Sequence, residues 1–354
     1  MELFMSSARP HTRWALAIGF GVVGALVVTL VVLAFLWPTK TAKAHDIPIG
    51  ITGPTPAVSA IEQALDENAD GVFAFVDASD RDGAISQIQT RQTYGAIVLS
   101  SGAPEVLTAP AASTTVAQLL GGVAARLQAQ LTQQVATAGG DASTVSVAVT
   151  PVVSLSADDP NGTGLTAASF PLTMGGMIGG ILISLLVVGV FRRLVALAGF
   201  AVAAGLLLSL VLHTWFGYLQ GDFWVIALAM GMSVLATSAF IVGCTSLIGN
   251  PGIGIGAVLT MLVGNPLAAA AVPWQFLAAP WGAIGQFFVP GAANTLLRTL
   301  SYFPDADPSG QWWILAGWTL VGLVLAVSGH FRSAPSMHVP DATLDEPAEN
   351  HATA

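Results

Sequence analysis

Between Arg193 and Arg298 the chain carries no lysine or arginine, and Asp222 is the only acid there. A stretch of roughly a hundred residues so poor in charge cannot present a hydrated surface and belongs in a bilayer. Composition points the same way. Of 354 residues, 54% are hydrophobic and 9% charged, and the mean hydropathy of +0.72 is too high for a soluble globule with an ordinary charged surface.

The first apolar run, Trp14 to Trp37, has 24 residues and no charge. At about 1.5 Å per residue it exceeds a hydrocarbon core of roughly 30 Å. Tryptophan at each end suits the interfacial belt. A secretory signal is the rival reading, since Arg9 and Arg13 precede the run and Ala42-Lys43-Ala44 resembles a cleavage site. Signal cores are shorter, about 7 to 15 residues, which favours a membrane helix. Five further spans are read at 170–191, 194–215, 223–248, 252–272 and 312–328. The expected fold is an α-helical polytopic membrane protein of six transmembrane helices with an inserted α/β domain.

That domain is expected at 38–169, where proline, threonine, aspartate and serine appear and the apolar runs shrink to strand length. Ile47, Ile49 and Ile51 alternate with smaller residues as a first strand, and a helix follows from Ala57 to Glu67. Gly71 to Asp77, Tyr94 to Ser100 and Thr144 to Val153 read as further strands, with helices near Asp80 to Gln92 and Ser113 to Thr137 between them. Strands alternating with helices predict an α/β unit. Asp158 to Gly164 is loop chemistry leading back to the membrane. The segment holds 12 acids and five bases, so most of the formal charge of −9 sits in it. An acidic domain has no electrostatic reason to bind nucleic acid.

Basic residues flanking the spans set the expected orientation. Arg9 and Arg13 before the first span, Arg192 and Arg193 in the turn between the second and third, and Arg332 after the last mark one side as cytoplasmic. Lys40 and Lys43 oppose this and are outnumbered. Both termini are then inside and the α/β domain is extracytoplasmic. The tail at 330–354 carries Asp341, Asp345, Glu346 and Glu349 without a base after Arg332, and its composition predicts disorder.

The residues give no catalytic chemistry. Cys244 is the sole cysteine and lies mid-helix, which excludes an intramolecular disulfide and a cysteine metal cluster. A phosphate loop needs a lysine, and Lys40 and Lys43 lie in threonine and alanine context. The histidines are scattered. His213, beside Trp215, Phe216 and Tyr218, reads as an interfacial residue rather than a proton relay, and no acid sits at mid-membrane depth for cation coupling. No enzyme, cofactor or metal is expected. Membrane lipid is the evident partner, and if ATP drives the chain a separate ATPase subunit binds it.

Two features remain. Glycines at four-residue spacing, Gly175/Gly179 and Gly176/Gly180 in the second span and Gly252/Gly256 in the fifth, let helix backbones approach, either within the bundle or at a dimer seam. The segment Pro273 to Arg298 is apolar and aromatic, yet Pro273, Pro280 and Pro290 stop it from being one continuous helix. It is expected as short helical pieces lying in the outer interface or dipping back from it, a shape tolerated where protein or a wet cavity satisfies the freed backbone.

This arrangement resembles the ABC-2 type permease superfamily, in particular its YhgE/Pip-like (phage infection protein) branch. The spaced prolines, Pro290-Gly291-Ala292 and the closing Leu296-Leu297-Arg298 are similar to that superfamily's outer segment. Ala84 to Leu99 and Val106 to Arg126 resemble stretches of its outer domain. The resemblance implies a homodimer or hetero-oligomer that exports lipids, polysaccharides, drugs or peptides, with ATPase subunits docked on cytoplasmic loops. Here those loops are short, about Phe191 to Leu194 with Arg192 and Arg193 as the candidate cytoplasmic contact, and Gly249 to Pro251. They equally suit a non-transporting membrane anchor whose outer domain is a receptor or assembly platform.

Overall fold

A computed structural model of the protein describes residues 13–69, 71–99, 104–141 and 146–333. Arg9 and the acidic tail from residue 334 onward lie outside the described residues.

Helix α1, Trp14–Thr41, is 28 residues long with no buried residue. Its uniform apolarity leaves no polar face, so its only compatible surroundings are lipid or other apolar protein. The chain then forms β1 (Ile47–Thr52), α2 (Thr55–Asn68), β2 (Phe73–Asp77), α3 (Arg81–Gln89), β3 (Gly95–Val98), β4 (Glu105–Thr108), α4 (Thr114–Thr137) and β5 (Ala148–Pro151). The five strands make one sheet in the order β2-β1-β3-β4-β5, parallel except where β3 meets β4. Crossover helices make the parallel pairs possible.

Period-two side-chain alternation divides the sheet's core. Ile47, Ile49, Ile51, Ile97 and Val106 pack under Leu65 of α2 and Val116 and Leu120 of α4. Their neighbours Ala96, Val98 and Leu107 turn the other way, onto Ala84 and Ile88 of α3. Helices α3 and α4 start at side-chain caps: the Asp80 carboxylate accepts from the Gly83 N–H at 2.7 Å, and Ser113 Oγ accepts from the Val116 N–H at 3.2 Å.

The helix bundle follows. It comprises α5 (Thr163–Leu186), α6 (Val190–Ser209, continued as wider π turns to Trp215), α7 (Phe223–Ile248) and α8 (Pro251–Ala257, continued through π turns to Gly264). Past a 3-10 turn at Pro266–Ala268 come another at Trp274–Phe276, then α9 (Trp281–Gly285), α10 (Val289–Tyr302) and α11 (Ser309–Ser333). Among the described residues six helices, α1 included, are long and apolar enough to cross a membrane. Of their most apolar windows, that of α7 is 78% buried and that of α1 not at all. The axis of the bundle is therefore α7, with α5, α6, α8 and α11 around it.

Glycine is what allows this closeness. A Cβ at Gly176 or Gly180 would meet Thr237 or Ser238, and one at Gly252 or Gly256 would meet Cys244 or Ile241, all on α7. Gly179 faces Phe200 of α6. Gly175 departs from the helix-packing expectation: nothing lies within 4 Å of it, because its side of α5 is turned away from α7. Three glycines the spacing did not single out seat α11: Gly243 of α7 meets Gly322, and Gly322 and Gly329 lie on Ala239 and Ser246.

The bundle differs from the sequence reading in several boundaries, chiefly those of the second and fifth spans. The second span begins at Thr163 and ends at Leu186, so the turn is Val187–Gly189, and Arg192 and Arg193 lie in the first turn of α6 rather than in the connection. The fifth span leaves regular α-helix after Ala257 and ends at Ala268 instead of 272.

Candidate functional site at the junction of sheet and bundle

Two phenylalanines fasten the sheet to the helices. Phe303, at the end of α10, is 1% exposed inside the core beneath Ala96 and Leu107. Phe276 joins the core on the opposite face of the sheet, and its carbonyl accepts from the Lys43 N–H at 2.9 Å. Tyr302 Oη donates to the Tyr218 carbonyl at 2.7 Å, and Ser156 Oγ to the Gly217 carbonyl at 2.8 Å.

Between these fastenings lies a cavity of about 610 Å³. Its walls come from the loop after α3, the start of α4, the segment 269–275, α10 and the start of α11. Two arginines face it. Arg91 donates to the Thr295 carbonyl at 3.1 Å and to Thr299 Oγ1, and its guanidinium lies 5.2 Å over the Phe303 ring. Arg298 donates to the carbonyls of Ala111 at 3.0 Å and Ala270 at 3.5 Å. Neither pairs with a carboxylate: among the described residues the one ion pair is Arg81 with Glu105.

Desolvation lowers the Arg91 guanidinium to a pKa of about 10, the Arg298 charge adding to the shift, and desolvation lowers Arg298 as well. A guanidinium is basic enough that arginine keeps its charge at neutral pH. An enclosed charge without a counter-ion is costly, and sites that keep one are functional candidates.

Other polar groups converge on the same space. Tyr94 Oη donates to Gln275 Oε1 at 3.2 Å, and Gln275 is 6% exposed. Gln311 Oε1 is buried on the cavity wall without a hydrogen-bond partner among the described residues. Ser113 and Thr114 bring the start of the 24-residue helix α4 to the wall, where the first-turn N–H groups have no helical acceptor. The one acid on the wall, Asp307, accepts from the Ser309 N–H at 2.9 Å and from Ser309 Oγ at 2.8 Å. Asp159, which also attracts Arg298, accepts from the Thr163 and Gly164 N–H groups as the cap of α5.

The same hairpin lines a second space of another kind, an apolar cleft of about 450 Å³ between α1 and the segment 262–281. Leu33 and Trp37 form one side, Leu262, Leu267 and Trp281 the other. The chain between Pro273 and Trp281 serves both, with Trp274 and Gln275 on the polar cavity and Leu277 and Ala278 on the cleft.

Of the residues singled out in the hairpin, Pro273 and Arg298 line the cavity. Pro280, which follows a cis Ala279–Pro280 peptide bond, immediately precedes α9, and Pro290 opens α10 beside Gly264. The hairpin does not end at Arg298; α10 carries on to Tyr302 and packs its Ala292, Leu296 and Leu297 among Ile226, Met230 and Leu315. Sequence reasoning passed over Arg91, Tyr94, Gln275 and Thr114. Arg298 at least stands out as the base that closes the charge-free stretch, whereas Arg91 has no local signal.

At the far end of the bundle the two arginines proposed as a cytoplasmic contact have separate fates. Arg192 is exposed. Arg193 donates to the carbonyls of Val187 and Ser184, both at 2.8 Å, and to Ser246 Oγ at 3.0 Å. Its guanidinium thus satisfies the end of α5 and is not free for a partner.

No protein-family model, no curated protein and no solved structure matches this chain.

Proposed function

We propose that the chain is a permease-like membrane subunit of a cell-envelope export system, of ABC-2 type or related, moving an amphipathic or hydrophobic substrate outward with the α/β domain outside the cell membrane and both termini in the cytoplasm. The observation that carries this reading is the hairpin between α8 and α11, whose residues line both a polar cavity and an apolar cleft. A molecule with a polar head and an apolar body meets matching surroundings at one place. The sequence has no phosphate loop, so in this reading energy comes from a separate ATPase subunit.

Isolation of the intact protein in mild detergent is expected to recover an ATPase or another secretion component, and deletion to trap cargo inside the cell. Recovery of the chain alone, with no cargo retained on deletion, contradicts the reading.

One observation favours a second reading, a non-transporting anchor whose outer domain is a receptor or assembly platform. Among the described residues, the connections at the end of the bundle opposite the sheet are the short turns Val187–Gly189 and Gly249–Asn250, and Arg193 is consumed internally. In that case deletion abolishes binding of an outer partner and traps nothing.

A further inference from the structure

We infer that the junction cavity holds the phosphoryl headgroup of an anionic phospholipid, with the lipid's acyl chain in the cleft beside α1. This goes beyond export: the site would bind its lipid whether or not the chain transports anything.

Charge is the first argument. Arg91 and Arg298 bring two positive charges to one wall, and their hydrogen bonds go to carbonyls and a threonine hydroxyl, which orient them without neutralising them. The facing acids do not cancel them. Asp307 is engaged by Ser309 at the rim, and Asp159 caps α5. The start of α4 at Thr114 adds N–H groups and the positive end of a helix dipole. Guanidinium groups together with a helix N-terminus suit an anion with several oxygen acceptors, which is what a phosphoryl group supplies.

Shape is the second argument. About 610 Å³ is far more than one free phosphate fills. The 273–281 segment contributes to both spaces, Gln275 lining the cavity and Leu277 and Ala278 the apolar cleft, which gives an amphipathic ligand a polar and an apolar wall built from one stretch of chain. The Gln311 Oε1 atom, buried and unpartnered, is a ready acceptor for a headgroup hydroxyl.

The test uses the full chain in nanodiscs of mixed phosphatidylglycerol and phosphatidylcholine, read by native mass spectrometry of retained lipid. The expected result is one retained phosphatidylglycerol per chain, with a preference over phosphatidylcholine that falls about tenfold in Arg91→Gln and Arg298→Gln. Because those arginines also tie the sheet to α10, Gln275→Glu is the second variant: it keeps the shape and the acceptor for Tyr94 but places a negative charge in the cavity. It is expected to abolish the preference while circular dichroism stays unchanged. Equal retention of the two lipids, or a preference untouched in a folded Gln275→Glu protein, overturns the inference. Inorganic phosphate is the competing source: if it displaces no lipid yet protects the chain from thermal unfolding in an Arg298-dependent way, the cavity is a free-phosphate site and the lipid assignment fails.

Discussion

The Arg91 guanidinium, from the loop that follows α3 of the sheet domain, lies 5.2 Å over the ring of Phe303, from the end of α10. The same arginine donates to the Thr295 carbonyl, 204 residues away in sequence. A cation held against a ring, with one nitrogen bonded to a carbonyl and a hydroxyl of α10, fastens the sheet to the bundle at this point. Phe303→Ala removes the ring from a fully enclosed position. The expected loss is about 3–5 kcal/mol, measured by denaturant unfolding in detergent.

Arg193 and its neighbour make an internal control. Arg193→Ala strips three hydrogen bonds from the end of α5 and from Ser246 and is expected to cost about 1–3 kcal/mol. Arg192→Ala alters an exposed side chain and should stay within about 0.5 kcal/mol of the parent. Thermal unfolding of the two variants side by side decides it, and equal shifts contradict the capping role.

The seam of α11 on α7 depends on glycine. A Cβ at Gly322 falls on the backbone of Ala239 and Phe240, so Gly322→Val is expected to force the helices apart and to cost about 1–3 kcal/mol or more. Gly175→Ala meets nothing within 4 Å and is expected to be neutral or to stabilise α5 by up to about 1 kcal/mol. Unfolding midpoints of the two variants give the contrast.

On the sheet, Arg81 holds Glu105 in two hydrogen bonds of 2.7 and 2.9 Å. The arginine, aided by Thr150, keeps the Glu105 carboxyl below its ordinary value of 4.5. A carboxylate whose pKa is lowered by folding contributes stability above its unfolded pKa, and that contribution is lost as pH falls through the folded value. Glu105→Gln should therefore be less stable than the parent at neutral pH, with the difference closing below pH 4.5. Hydrogen exchange of the β4 and β5 amides over that range checks it, and the pair's exposure keeps the expected effect small.

What was legible in the sequence follows from locality. The expected strand at Ile47 to Ile51 and the helix at Ser113 to Thr137 fall on β1 and α4 because side-chain alternation and capping act within a few residues. The spans were legible because hydropathy over about twenty residues is also local. The start of α5 was not, since Thr163 to Ser169 is ordinary loop chemistry until Asp159 caps its N–H groups and Leu165 joins Ile226 and Met230 of the first half of α7 in one core. Arg193 reads as a turn base until the carbonyls it serves are known.

By itself, then, the sequence determined the six apolar helices and an α/β unit between the first and the rest, because each rests on short-range periodicity and on the cost of charge in an apolar solvent. Only the tertiary structure decided which glycines meet α7, which arginine caps α5, and that Arg91 and Arg298 share one cavity. The physical reason is that these are relations between surfaces brought together from distant parts of the chain. A guanidinium beside a ring, a carbonyl or another guanidinium carries no trace of that neighbour in its own stretch of sequence.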